Sequence, residues 1–221
     1  MTSVAIVGGT GPLGRGVAAR LVRAGVTVRL GSRDPDRARA AADEVAGWLG
    51  DASGHDGGLT AGGNAEVVVD ADVILLAVPY GGLGATVDQL ADALDGRLVV
   101  SAVNPLTFDD RGPVPLAVEE GSAAELVAAR VPSARVVAAL HSVSSRELKR
   151  LDEPLDDDVP VLGDDEEAVA AVVALLERID GCRPVAAGPL RLAGVAEDLT
   201  CLLLSVNRRH RTHVGFRFTR L

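Results

Sequence analysis

The stretch Val4-Ala5-Ile6-Val7-Gly8-Gly9-Thr10-Gly11-Pro12-Leu13-Gly14 decides the fold of this chain. Its four apolar residues are typical of a buried strand, and they lead directly into the spacing Gly9-x-Gly11-x-x-Gly14 at the start of a helical pattern. Glycines at these positions make a tight turn, let the backbone approach a pyrophosphate and seat that group on the N–H groups of the helix N-terminus. One glycine pattern in a chain with 25 glycines can arise by chance. The order of strand, turn, helix and strand nevertheless predicts a dinucleotide-binding unit.

The residues after the next strand determine which dinucleotide fits. The strand Thr27–Leu30 is followed by Gly31-Ser32-Arg33, and Arg37 lies four residues beyond Arg33. An acidic residue at that strand end would bind the ribose 2′-OH and repel a 2′-phosphate, whereas a hydroxyl and a guanidinium suit the phosphate. Asp34 is a candidate for that acid, but its position before Pro35 is typical of a helix N-cap. We therefore predict NADP(H) as the cofactor.

The composition of the 221 residues limits the class of protein. Hydrophobic residues make up 48% of the chain with only three Phe, one Tyr and one Trp, so we expect a core of Val, Ala and Leu around a buried parallel sheet. A formal charge of −9 argues against nucleic acid or an anionic membrane as partner. We recognise no leader, membrane span or Cys/His metal spacing, and expect a cytoplasmic protein with reduced Cys182 and Cys201 and no metal site.

Strand and helix patterns alternate along the rest of the chain. We expect strands at residues 72–78, 98–102, 135–140, 158–163, 184–187 and 214–218, helices at residues 82–94, 122–130, 169–176 and 199–206, and a Gly-rich loop at residues 47–63. This rhythm predicts an α/β fold with a Rossmann-like, doubly wound and mostly parallel sheet. We expect one domain over residues 1–221, with residues 158–221 as a small helical and strand extension. Ligands of such sheets bind at the carboxyl ends of the strands, where Pro79, Tyr80, Asn104 and His141 lie.

Four sequence blocks follow one another in a characteristic order. The glycine stretch at residues 8–14 is generic, and three more specific blocks follow it. These are Gly31-Ser32-Arg33, then Ala139-Leu140-His141-Ser142-Val143, and last the residues 158–165 leading to Ile179-Asp180-Gly181 and Ala187-Gly188-Pro189-Leu190. With these blocks, nearly the whole chain resembles the family of F420-dependent NADP oxidoreductases, Rossmann enzymes that pass hydride between NADPH and a deazaflavin. The resemblance implies NADP(H) as cofactor and coenzyme F420 as co-substrate.

The resemblance also implies roles for individual residues. The pyrophosphate would be held at the glycine turn, by Gly9, Thr10, Gly11, Pro12, Leu13 and Gly14, and the 2′-phosphate by Ser32, Arg33 and Arg37. The nicotinamide end would be lined by Pro79, Tyr80, Gly84, Asn104 and Ser145. His141 and Val143 would border the deazaflavin, and residues 158–221 would complete its pocket.

Hydride transfer between two ring carbons requires orientation and a dry slot, but no protein nucleophile. This fits a chain that offers no Ser/His/Asp order and no strand-end lysine. His141 is the candidate catalytic residue, which either orients the deazaflavin or donates a proton at its N1/C2 carbonyl edge. The alternative is a histidine that is simply hydrogen-bonded at a strand end.

The chain departs from the family pattern after Pro189-Leu190, where Leu192-Ala193-Gly194 stands in place of an expected polar and basic stretch. In the family this segment lies near the deazaflavin, so the departure leaves two alternatives open. One is an NADPH-dependent reductase of an imine or ketone, with Tyr80 or His141 as proton donor. The other is a non-catalytic module that binds NADPH without turnover.

Charged clusters and the last helix carry three further predictions. Arg208, Arg209, Arg211, Arg217 and Arg220 lie close together without an acid, and either capture the phosphate and glutamates of the F420 tail or complement a helix dipole. The acidic runs at residues 156–158 and 164–167 predict an exposed turn and a helix N-terminus. Because the chain lacks a large second domain to cover the nicotinamide, we expect a homodimer formed through the apolar last helix.

Overall fold

The computed structural model describes residues 2–50 and 58–221. The strands are β1 (Ser3–Val7), β2 (Thr27–Ser32), β3 (Leu59–Gly63), β4 (Val73–Leu76), β5 (Leu98–Ser101), β6 (Leu106–Asp109), β7 (Gly112–Pro115), β8 (Arg135–Ala138), β9 (Asp157–Gly163) and β10 (Cys182–Gly188). The helices are α1 (Pro12–Arg23), α2 (Pro35–Leu49), α3 (Asn64–Val67), α4 (Tyr80–Leu94), α5 (Ala123–Arg130), α6 (Ser145–Lys149), α7 (Glu166–Leu176) and α8 (Ala193–His210). A 3-10 turn, Leu190–Leu192, precedes α8.

Eight of the strands form one sheet in the order β10-β9-β8-β5-β4-β1-β2-β3. The pairs from β3 across to β8 are all parallel, while β9 runs antiparallel to β8 and parallel to β10. The strand order reverses at β1, from which the chain winds outward first to β2 and β3 and then to β4 and β5. This arrangement confirms the predicted doubly wound, mostly parallel Rossmann-like sheet.

The two faces of the sheet bury two separate apolar cores. Val4 and Ile6 of β1 belong to the core beneath α1 and α7, whereas Ala5 and Val7 belong to the core beneath α4 and α5. All four side chains are at most 1% exposed. Burial on both faces explains why β1 is a continuous apolar run, as strands of parallel sheets are. Among the described helices, none combines the length and apolar character that crossing a bilayer requires.

Two predicted elements differ from the structure. The predicted loop at residues 47–63 is wrong at both ends, because α2 continues to Leu49 and β3 occupies Leu59–Gly63 beside β2; its central residues 51–57 lie outside the described residues. The predicted strand at residues 214–218 does not form, and this tail instead contacts the start of β9. The antiparallel hairpin of β6 and β7 was not predicted, since its two four-residue strands lack a clear alternation of apolar residues.

The acidic residues 156–158 do not form the predicted exposed turn. Asp158 is 0% exposed and lies in β9. Its carboxylate accepts a hydrogen bond from the Phe218 backbone N–H at 2.7 Å and lies 3.3 Å from Arg183 Nε. A buried carboxylate is stable only with such partners, and both lie far from it in sequence. The second acidic run behaves as predicted, because Asp165 caps α7 through its bond from the Ala168 N–H at 2.9 Å.

Candidate active site

The glycine turn after β1 is packed too tightly to accept side chains. The Gly9 N–H donates to the Gly31 carbonyl at 2.9 Å, which ties the turn to β2. A Cβ on Gly9 would lie 2.5 Å from Leu30 Cδ2, and a Cβ on Gly14 would lie 2.7 Å from the Gly9 Cα. Both distances are shorter than carbon contacts allow, so glycine is required at both positions for α1 to begin this close to the strand.

The first turn of α1 is left open toward a cleft of about 920 Å³. Gly11 is the N-cap and Pro12 is the first helical residue, and no side chain caps the helix. Thr10, Gly11, Pro12 and Leu13 all line the cleft. The N–H groups and the positive end of the helix dipole are therefore available to an anion such as a pyrophosphate.

Cations and a hydroxyl occupy the end of the cleft next to β2. Ser32, Arg33 and Arg37 line this end. Within residues 2–50 and 58–221, neither arginine has a carboxylate within 4.0 Å. Asp34 caps α2 by accepting from the N–H groups of Asp36 at 3.0 Å and Arg37 at 3.4 Å, so its interpretation as an N-cap is confirmed. The end of the cleft thus fits a phosphate on the ribose.

The ends of β4 and β5 form the opposite wall of the cleft. Pro79 and Tyr80, at the start of α4, and Asn104, after β5, line it together with apolar residues. Gly84 is not brought to the cleft. It lies on the side of α4 that faces α5, where a Cβ would approach the Arg130 guanidinium at 3.1 Å. Gly84 lies one helix turn beyond Tyr80, about 6 Å further along α4 from the end of β4.

A second cavity of about 450 Å³ adjoins the cleft. The two share Pro12, Leu13 and Asn104 as lining residues. The remaining lining comes from the segment after β8, from α8 and from the tail: His141, Ser142, Val143, Ser144, Ser145, Arg146, Thr200, Leu203, Leu204, Asn207, His213 and Val214. Of the predicted residues, His141, Val143 and Ser145 therefore lie together in this second cavity.

The backbone at His141 is fixed from two sides. Thr200 Oγ1 donates to the His141 carbonyl at 2.7 Å, and Asn104 Nδ2 donates to the same oxygen at 3.1 Å. The preceding residue, Leu140, is buried and has a left-handed φ of 69°, a conformation that a branched side chain adopts only when its surroundings hold it there. Sequence reasoning missed Thr200, because a single hydroxyl in an apolar helix gives no signal of what it contacts.

Two polar groups between the cavities lack partners among the described residues. Because Asn104 must turn its amide nitrogen toward the His141 carbonyl, its Oδ1 faces the other way and is buried without a hydrogen bond. Both ring nitrogens of His141 are also buried without a well-formed hydrogen bond, and the Val103 backbone interacts only weakly with the ring. Unpaired buried polar atoms are costly in a folded protein, and at a cavity wall they indicate a ligand that supplies the missing partners.

The His141 ring is uncharged near neutral pH. The side chain is 5% exposed. Burial lowers the pKa of His141 to about 4, against a smaller opposing effect of the Val103 backbone. A neutral imidazole offers one N–H donor and one nitrogen acceptor, which suits hydrogen bonding to a heteroaromatic ring better than donating a proton from the charged form.

The unusual segment Leu192-Ala193-Gly194 lies away from both cavities. Gly194 is the second residue of α8 and packs against the turn before α5, where a Cβ would lie 2.8 Å from the Gly121 carbonyl oxygen. None of the three residues lines the cleft or the second cavity. The departure from the expected sequence therefore changes a helix contact, and it leaves the lining of the second cavity intact.

The carboxyl end of the sheet therefore carries two adjoining cavities that share lining residues. The fold and the site together define a Rossmann-type oxidoreductase that uses a dinucleotide. Comparison with known proteins gives the family. Residues 3–105 match the family model described as NADP oxidoreductase, coenzyme F420-dependent.

Two relatives match over almost their full length. The chain is 34% identical to the F420-dependent NADP reductase of Methanocaldococcus jannaschii, across 99% of this chain and 98% of that protein. It is also 34% identical to the F420-dependent NADP reductase of Methanothermobacter thermautotrophicus, across 99% and 95%. A crystal structure from Arthrobacter sp. FB24, provisionally described as an F420-dependent NADP reductase, has a TM-score of 0.80 at 26% identity and covers 98% of this chain and 99% of that one. The chain therefore belongs to the family of F420-dependent NADP oxidoreductases, as its sequence blocks predict.

Proposed function

We propose that the protein transfers a hydride between NADP(H) and coenzyme F420, with the dinucleotide in the cleft and the deazaflavin in the second cavity. The observation that carries this proposal is the wall of Pro12, Leu13 and Asn104 that the two cavities share. In the direction of F420 reduction, NADPH and a proton are consumed, and NADP⁺ and reduced F420 are formed. The relatives favour this activity over reduction of an imine or ketone.

The cleft recognises the dinucleotide at three points. The open first turn of α1, with Gly9 and Gly14 holding it against the strand, binds the pyrophosphate. Ser32, Arg33 and Arg37 bind the 2′-phosphate, and the stretch from Pro79 to Tyr80 borders the nicotinamide. These contacts hold the 2′-phosphate end of the cofactor by charge and the nicotinamide end by packing against the cleft wall.

Asn104 and His141 orient the two rings at the junction. Asn104 Oδ1 is an acceptor held in one direction by the bond from Nδ2 to the His141 carbonyl, so it receives an amide or imide N–H of a bound ring. The neutral His141 ring hydrogen-bonds the deazaflavin from the second cavity, next to Val143. We assign His141 to orientation, because a pKa of about 4 leaves little imidazolium at neutral pH.

The C-terminal part of the chain completes the second cavity. Thr200, Leu203, Leu204 and Asn207 from α8, and His213 and Val214 from the tail, close the side opposite the segment after β8. These residues belong to the extension 158–221, whose strands β9 and β10 also extend the main sheet. One domain with an integral C-terminal extension therefore serves both substrates.

An exposed apolar surface supports a homodimer. Val195 and Leu202 on α8 are 71% and 61% exposed, and Phe108 on the hairpin that packs against α8 is 65% exposed. Val195 and Leu202 are seven residues apart and so lie on one face of α8, and large apolar side chains exposed on one face are typical of an interface. We expect light scattering at micromolar concentration to give twice the chain mass for the wild type and for the control Ala40→Glu, and the chain mass for Leu202→Glu. A monomeric wild type would contradict the proposal.

We also place the protein in the cytoplasm. Cys182 and Cys201 are both free and buried. Unpaired thiols are typical of a reducing compartment.

Anaerobic mixing with NADPH and F420 tests the activity. We expect the absorbance of both chromophores to fall together. NADPH consumption only with an imine or ketone would indicate the alternative reductase, and binding without turnover would indicate a cofactor-binding module.

Variants connect that activity to the junction between the cavities. Asn104→Leu removes the oriented acceptor and should lower kcat about tenfold, the effect of losing one hydrogen bond of about 1.4 kcal/mol. Gln89→Leu, an amide lost from the exposed face of α4, is the matched control. If both variants keep wild-type kcat, Asn104 does not orient the rings.

A further inference from the structure

We propose that Arg146, Arg211 and His213 form an anion site that holds the phosphate and carboxylates of the F420 tail; this inference rests on the proposed function. The three side chains line a concavity of about 310 Å³ on the surface. Arg146 and His213 also line the second cavity, so the concavity lies at its mouth. A molecule whose ring occupied the second cavity would leave along this path.

The charge of the concavity is positive, although the chain carries a formal charge of −9. Glu147 and Arg150 also line it, but they lie 3.3 Å apart, and a second nitrogen of Arg150 lies 2.5 Å from Glu153. These charges compensate one another. Arg146 and Arg211 have no carboxylate within 4.0 Å among residues 2–50 and 58–221. Two uncompensated guanidinium groups therefore face one small concavity.

The donors of the site converge from separate parts of the chain. Arg146 Nη1 of α6 lies 3.0 Å from His213 Nε2 in the tail. When a neutral imidazole accepts this bond, its Nδ1–H remains as a donor, and the other N–H groups of Arg146 remain unused. The Thr212 hydroxyl lines the same concavity. Forked guanidinium donors with neighbouring N–H and O–H groups suit the oxygens of a phosphate.

The position of the C-terminal segment of the protein, residues 211–221, is set by contacts with the second cavity and the sheet. The Val214 N–H donates to Asn207 Oδ1 at 2.7 Å, and Asn207 itself lines the second cavity. Further along, the Asp158 N–H donates to the Phe216 carbonyl at 2.8 Å. The chain turns back after α8 at Arg211, which has a left-handed φ of 53°. These contacts hold His213 beside Arg146 without any contribution from the anion.

Kinetics with two deazaflavins test the site directly. F420 carries the phosphate and glutamates, whereas a deazaflavin that ends at the ribityl chain carries neither. We expect Arg146→Gln and Arg211→Gln each to raise the KM for F420 up to about fivefold, the upper range for exposed ion pairs, and the double variant to raise it further. Arg211 lines the concavity but not the second cavity, so in Arg211→Gln the KM for the tail-less deazaflavin and the KM for NADPH should stay unchanged.

The control is Arg209→Gln, which removes the same charge from an exposed residue on the last turn of α8 that lines neither cavity. An equal rise in the KM for F420 in this control would mean that F420 is attracted by the general positive charge of this region, and would contradict a specific anion site. Equal effects of Arg211→Gln on both deazaflavins would overturn the proposal. Inorganic phosphate should compete with F420 but leave turnover of the tail-less deazaflavin unaffected. Inhibition with both deazaflavins would mean that phosphate acts at a site other than this concavity, and would contradict the proposal. If the wild type oxidises NADPH with neither deazaflavin, the proposed function itself has failed.

Discussion

Arg33 should determine the preference for NADPH over NADH. Its side chain is exposed at the β2 end of the cleft and has no carboxylate within 4.0 Å among the described residues. A hydrogen bond to a charged group contributes about 1.5–3 kcal/mol, and solvent exposure favours the lower value. A loss of about 1.4 kcal/mol corresponds to a tenfold change. Arg33→Gln should therefore lower kcat/KM for NADPH about tenfold.

The assay is initial-rate hydride transfer to F420 with each dinucleotide at constant ionic strength. NADH lacks the 2′-phosphate, so its kcat/KM should be the same in Arg33→Gln and in the wild type. Arg39→Gln is the control, because Arg39 lies nearby on α2 but pairs with Asp36 at 2.6 Å and does not line the cleft. The reasoning is refuted if activity with NADH falls as much as activity with NADPH, or if the control behaves like the variant.

Three other changes test the packing that positions the site. Gly14→Ala places a Cβ 2.7 Å from the Gly9 Cα and should weaken NADPH binding in calorimetry, whereas Gly47→Ala, with no atom within 4 Å, should not. Thr200→Val removes the 2.7 Å bond to the His141 carbonyl and should raise the KM for F420 about fivefold but not that for NADPH. Burial raises the pKa of Glu197 from 4.5 to about 7, against N–H groups of α5 that lower it. A raised carboxyl pKa adds stability that is complete below pH 4.5 and is lost as pH rises through 7, so wild-type Tm should fall over this range and Glu197→Gln should be flatter; parallel Tm curves would contradict this.

The parts of the site that the sequence predicts are those formed by local geometry. The glycine turn and the Asp34 cap each depend on residues that are close together in the sequence, so the required spacing can be recognised from the sequence alone. Ser32 and Arg33 could be placed because a strand end in a parallel sheet has a known position. The sequence pattern does not show that Gly84 stays outside the lining of the cleft, because its surroundings are decided by packing against α5, a contact across 46 residues of sequence to Arg130.

The second cavity could not be derived from local patterns, because its walls come from distant segments. Thr200 and His141 are separated by 59 residues, and Asn104 by 37 from His141, yet all three meet at one carbonyl oxygen. Asp158 shows the same limit: an acidic run predicts exposure, but the backbone of Phe218, 60 residues on, supplies a partner that permits burial. Such polar contacts leave no periodicity in the sequence.

The distance between the cleft and the second cavity depends on how firmly α6, which lines the second cavity, is attached to α1, which lines both. Arg20, on α1, is 4% exposed and donates to four carbonyl oxygens at or after the end of α6, those of Glu147, Leu148, Arg150 and Glu153, at 2.7–3.0 Å. Gly16 lets the helices approach, since a Cβ there would lie 2.6 Å from Leu148 Cβ. The helix whose first turn faces the cleft and the helix that carries Ser145 are therefore firmly attached to each other. A fixed distance between the cleft and the second cavity favours the ring-to-ring hydride transfer that we propose, because such a step depends on how the reacting groups are positioned.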